Sequence, residues 1–101
     1  MNIKEYLLVC LVEELSEFQQ EICKVIRFTP EHKHPDRDET NLEGACREWS
    51  DIIAVLELLD QHNIVIDSDN DHIDNKIARM HKYMKHSKML GTLECWVPSN
   101  E

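Results

Sequence analysis

Four carboxylates stand in two pairs of identical spacing, Glu14 with Glu17 and Glu48 with Asp51. On an α-helix, a three-residue interval projects two side chains to the same side, one turn apart. Glu13 and Glu21 enlarge the first pair into the acidic run "EELSEFQQE", and Lys24 is the only Lys or Arg three or four residues from any of these glutamates. Like charges at such intervals cost a helix about 0.2–0.5 kcal/mol per pair. Carboxylates brought together without partners repel or take up protons. A hard divalent cation removes the conflict, because Mg²⁺ takes oxygen ligands and shares its shell with water and substrate phosphates. The plain alternative is a solvated acidic face.

Three helices are expected to position these groups. The first opens at Asn2, with Glu5 three residues on, and stops before Pro30. The second opens at Thr40, where Thr40 and Glu43 spell a capping box, and ends near Asn63. The third opens at Ser68, with Asp69 and Asp71 in its first turn facing the positive end of the helix dipole, and runs to Gly91. Apolar residues recur at helical spacing as Leu8, Leu11, Leu15, Phe18, Ile22 and Val25 on the first helix. Leu42, Ala45, Trp49, Ile52, Leu56 and Leu59 do so on the second, and Ile73, Ile77, Met80 and Met84 more weakly on the third.

The fold class is all-α: a bundle of three main helices with a short tail, docked by Trp96 and completed by oligomerisation. Residues 29–40 form a polar loop. The row Ile3, Leu7, Cys10, Glu14, Glu17, Glu21 and the row Glu48, Asp51, Val55, Leu58 flank the apolar stripes. If the first two helices run antiparallel, the acid pairs differ in height by about one turn, which the loop between them can absorb.

A chain of 101 residues suits one domain. Its formal net charge of −9 disfavours nucleic-acid polymers and anionic membranes as partners. The charge is uneven: residues 1–74 hold 18 acids against 6 Lys and Arg, while residues 75–93 hold five Lys and Arg and no acid. Cys10, Cys23, Cys46 and Cys95 form no CxxC pair, which argues against a zinc knuckle or a redox motif. With no signal peptide and no apolar run of membrane-spanning length visible, a reduced, cytoplasmic protein is expected. "DSDNDHID" at 67–74 lacks the glycine and glutamate of a calcium loop, and helix capping explains it better. His32 and His34 alone make a weak zinc site. Trp49, on the apolar stripe, is read as a packing residue rather than a base-stacking one.

"EELSE" at 13–17 followed by "EWSD" at 48–51 resembles the EExxE…ExxD pattern of the MazG-like, all-α nucleoside triphosphate pyrophosphohydrolases. The likeness spans residues 3 to about 90, in a single domain over 1–101, and the compact length is similar to that of small phage-carried members. The His- and Asp-containing loop at 29–40 departs from the pattern. The resemblance implies that Glu14, Glu17, Glu48 and Asp51 hold Mg²⁺, with Mn²⁺ as a substitute. Glu13 would act with Glu14 in catalysis, assisting a second ion or orienting the attacking water. Lys76, Arg79, Lys82 and Tyr83 would meet a nucleoside triphosphate, which is hydrolysed to monophosphate and pyrophosphate. It further implies a homodimer or homotetramer. The basic helix has a simpler reading too, as cations complementing the dipole. Two alternatives stay open: a non-enzymatic helical module that binds a partner or sequesters nucleotide, and a related hydrolase of dUTP, dCTP or an alarmone.

Overall fold

A computed structural model describes residues 1–94, which contain three helices and no strand. α1 spans Ile3–Phe28, α2 Asn41–Gln61 and α3 Asn70–Leu90. The all-α expectation holds. The expected docking of Trp96, like Cys95, lies outside the described residues.

Local chemistry explains the boundaries. The Asn2 side chain accepts the Glu5 amide at 2.9 Å and caps α1. At α2 the capping box is complete: Thr40 Oγ1 accepts from Glu43 N at 3.1 Å, and Glu43 Oε1 accepts from Thr40 N at 3.0 Å. α3 begins one residue later than expected, with Asp69 rather than Ser68 as its cap. The Asp69 carboxylate accepts from the amides of Asp71 and His72 at 2.9 and 3.3 Å, two free donors that a one-residue shift brings within its reach. Gly91 ends α3 in the left-handed conformation at φ 79°, which glycine adopts without strain.

The chain divides into two compact units, Met1–Ile66 and Asp67–Glu101. In the first, α1 and α2 pack as an antiparallel hairpin. Neighbours across the pair run in opposite chain directions: Glu14 meets Glu48, Glu21 comes against Gly44, and Thr29 bonds Asn41. The segment between the helices is tied down. Asn41 Nδ2 donates to Thr29 O at 3.0 Å, Leu42 N to Pro30 O at 3.1 Å, and His34 N to Glu39 O at 2.9 Å. Thr29 itself sits at φ 70°, unusual for a β-branched residue. In the second unit no residue of α3 is buried.

The buried seam differs from the expected stripes. Leu7, Ala45, Ile52 and Leu59 are its buried apolar side chains, and Glu21, Asn41 and Glu48 are buried among them. On α1 the seam follows Leu7, Leu11, Glu14, Phe18, Glu21 and Val25. Leu8, Leu15 and Ile22, assigned to the core by periodicity, are exposed. Leu42 is exposed too, and Trp49 is 50% exposed with its ring 5.5 Å from that of Phe18. The reason is that α1 is apolar on more than one face, and Glu21 is seated in the seam by arginine partners that spacing rules do not count. Glu14 and Glu21 of the acidic row therefore lie in the helix interface rather than beside it, while Glu17 is exposed.

Candidate cation site on the helical hairpin

One carboxylate oxygen from each of Glu14, Glu17 and Glu48 lies within 4.8 Å of the others. α1 supplies the first two from adjacent turns and α2 supplies the third across the seam. Glu48 is only 6% exposed. Its Oε1 accepts a 2.7 Å hydrogen bond from Arg47 Nη1, while its Oε2 is buried with no donor. Glu14 Oε2 is likewise buried and unsatisfied. Among the described residues, no Lys or Arg forms an ion pair with Glu14 or Glu17.

The electrostatics agree with the geometry. Burial, a carboxyl–carboxyl contact with Glu48, and the charges of Glu17, Glu48 and Asp51 push Glu14 up to about 7. That contact becomes a hydrogen bond only when one of the two carboxyls carries a proton. Buried acceptors without donors are rare and costly. A divalent cation satisfies several at once: two Mg–O bonds of about 2.1 Å span about 4 Å, close to the spacing of this trio. Glu17, exposed, leaves one side open to water and ligand.

The expected site residues divide accordingly. Glu14, Glu17 and Glu48 come together. Asp51 is exposed and acts on Glu14 by its charge, outside the close trio. Glu13 is exposed and is not one of the three. Lys76, Arg79, Lys82 and Tyr83 are exposed on α3, in the second unit.

Glu21 belongs to a different arrangement. Its Oε1 lies 3.3 Å from Lys24 Nζ, 3.2 Å from Arg37 Nη2 and 3.6 Å from Arg47 Nη2. Burial alone would raise its pKa, but hydrogen bonds from Lys24 and Arg37 outweigh burial and hold it below the ordinary carboxylate value. Arg37 Nη1 also pairs with Glu39 at 3.2 Å, and Arg47 reaches Glu39 through Nε and Nη2 at 3.2–3.3 Å. Hydrogen bonds to Glu39 and then Glu48 raise the Arg47 pKa further, so it stays charged. Gly44 makes room, since a Cβ there would stand 2.8 Å from Glu21 Oε2. Sequence reasoning found Lys24 and missed Arg37, Glu39, Gly44 and Arg47. The adjacency of Arg47 to Glu48 was the one available signal.

Comparison with family models, curated proteins and solved structures gives no match to this chain. What the fold and site define is a class: an antiparallel helix pair with a cluster of three carboxylates at its seam, of which Glu48 alone is paired with an arginine.

Proposed function

We propose that this chain is a Mg²⁺-dependent nucleoside triphosphate pyrophosphohydrolase, acting on cytoplasmic nucleotide pools, those of a host cell if phage-encoded. The observation that carries the reading is the pair of buried, donorless oxygens on Glu14 and Glu48, grouped with Glu17 at the positions of the EExxE…ExxD pattern. Bound Mg²⁺ or Mn²⁺ lowers the pKa of a coordinated water and neutralises charge on phosphate oxygens. Glu14, Glu17 and Glu48 hold the ion, and Asp51 adds charge and a further ligand from the next turn of α2. Glu13 orients water from the exposed side of α1. Lys76, Arg79 and Lys82 attract the triphosphate, Arg through paired donors and Lys as a point charge, and Tyr83 adds a contact beside them. Water adds across the α–β phosphoanhydride, and monophosphate and pyrophosphate leave. Self-association is part of the proposal, supported by the exposed apolar side chains of α1 and α2.

Pyrophosphate release from a panel of nucleoside triphosphates, with Mg²⁺ and with EDTA, tests this. The expected result is Mg²⁺-dependent release that Glu17→Gln or Asp51→Asn sharply reduces while helicity is kept. Normal turnover by both variants would refute the ligand assignment. Cation binding without turnover of any nucleotide would replace the enzyme by a sequestering or interaction module.

A further inference from the structure

We propose that Arg47 is the positioning residue of the cation site and that the segment between α1 and α2 sets its grip. The inference rests on the reading of Glu14, Glu17 and Glu48 as cation ligands.

The geometry is that of a clamp with two arms. Nη1 of Arg47 holds Glu48 Oε1 at 2.7 Å, which leaves Oε2 as the Glu48 oxygen with no donor, on a residue grouped with Glu14 and Glu17. The other side of the guanidinium, Nε and Nη2, is held by both oxygens of Glu39 at 3.2–3.3 Å. Glu39 lies in the interhelical segment and is itself fixed by Arg37 Nη1 at 3.2 Å, while Arg37 Nη2 anchors on Glu21 at 3.2 Å. A continuous chain of charged contacts thus runs from Glu21 through Arg37, Glu39 and Arg47 to Glu48. A planar, forked guanidinium transmits orientation along such a chain in a way that an ammonium group does not. Glu48 is restrained to offer a single oxygen before any cation arrives, so less ordering remains to be done on binding.

Charge and orientation make opposite demands here, and that makes the proposal testable. By Coulomb's law alone a cationic Arg47 beside the site opposes a divalent cation, and removing it should tighten binding. If Arg47 acts by orienting Glu48, removing it should weaken binding.

The experiment is calorimetric titration of the full chain with Mn²⁺ alone, without nucleotide, for wild type, Arg47→Gln, Arg47→Lys and Arg37→Gln. Helicity and thermal unfolding in EDTA are measured alongside. A charge-assisted hydrogen bond of about 1.5–3 kcal/mol corresponds to roughly tenfold or more in affinity. Arg47→Gln is therefore expected to weaken Mn²⁺ binding about tenfold. Arg47→Lys should fail to restore it, because a single ammonium group cannot hold Glu48 and both Glu39 oxygens. Arg37→Gln touches no ligand and should weaken binding about threefold by freeing Glu39.

Tighter or unchanged binding in Arg47→Gln, or wild-type affinity in Arg47→Lys, overturns the positioning role. Unchanged affinity in Arg37→Gln overturns the part assigned to the interhelical segment. A merely structural role would lower the unfolding temperature and leave the affinity of the folded fraction intact, which also overturns the proposal. If Arg47→Gln does not fold, Arg47→Lys and Arg37→Gln decide it. Absence of Mn²⁺ binding in wild type overturns the cation site itself, an outcome distinct from binding without hydrolysis.

Discussion

Replacing Glu14 by Gln should stabilise the cation-free protein at pH 8 and have much less effect at pH 5. The Glu14 carboxyl is raised from 4.5 to about 7 by burial, by its contact with Glu48 and by the charges of Glu17, Glu48 and Asp51. In the unfolded chain it ionises at its ordinary value. Between these two values the folded protein holds the proton and the unfolded chain does not. Ionised Glu14 therefore costs stability, and the cost grows as pH climbs from about 4.5 and levels off above about 7. At about 1.4 kcal/mol per pKa unit the ceiling is about 3 kcal/mol. Glu14 is partly open to solvent, so screening reduces this to about 1–2 kcal/mol. Gln keeps the shape without the charge. The melting temperature of the variant in EDTA at pH 8 should rise by about 5–10 °C, since 1 kcal/mol moves a domain of this size by about 4–8 °C. Circular dichroism melts of both proteins at pH 5 and pH 8, with EDTA or Mg²⁺, give the answer. Mg²⁺ should raise the wild-type midpoint at pH 8 and raise that of the variant far less. A variant no more stable than wild type at pH 8, or one equally stabilised at both pH values, would refute the electrostatic account.

Gly44→Ala weighs two effects against each other. Helix propensity favours Ala by about 1 kcal/mol, while a methyl group 2.8 Å from Glu21 Oε2 forces a paired, buried carboxylate to move. A net loss of up to about 2 kcal/mol is expected, overpacking typically costing about 1–3 kcal/mol; a gain in urea unfolding would mean that Glu21 does not sit there. Lys76→Gln and Arg79→Gln should each weaken nucleotide binding in Ca²⁺ about tenfold if they meet phosphates, with helicity unchanged. A small, uniform stability loss shared with Lys88→Gln, with affinity intact, would leave only a dipole-complementing basic helix. Sedimentation at micromolar concentration should show a dimer or tetramer, given exposed Leu8, Leu15, Ile22, Leu42 and Trp49; a clean monomer would exclude self-association.

The helix ends were legible because caps are local: Asn2, Thr40 with Glu43, and Gly91 each act within a few residues. The convergence of Glu14, Glu17 and Glu48 was legible from spacing plus an antiparallel turn. The facing surface of α1 was not. Counting apolar residues favours Leu8, Leu15 and Ile22, whereas the seam takes Leu7, Glu14 and Glu21. A buried glutamate contradicts hydrophobic patterning until its cations are known, and Arg37 and Arg47 reach Glu21 from 16 and 26 residues away in sequence. Such pairings depend on how the interhelical segment folds back, which periodicity does not encode.

Gly44 has one more consequence. It is the only glycine in α1 or α2, and the Glu21 carboxylate rests against its bare backbone. Sliding α1 along α2 by one helical turn would set that carboxylate against Asn41 or Glu48, where a side chain fills the notch. With so few buried apolar side chains, greasy contact alone would tolerate several alignments of the two helices. Buried polar groups are best known for suppressing such alternatives. The notch and its carboxylate thus work as a key that admits one longitudinal setting, and the alignment that seats Glu21 is also the one that brings Glu48 level with Glu14.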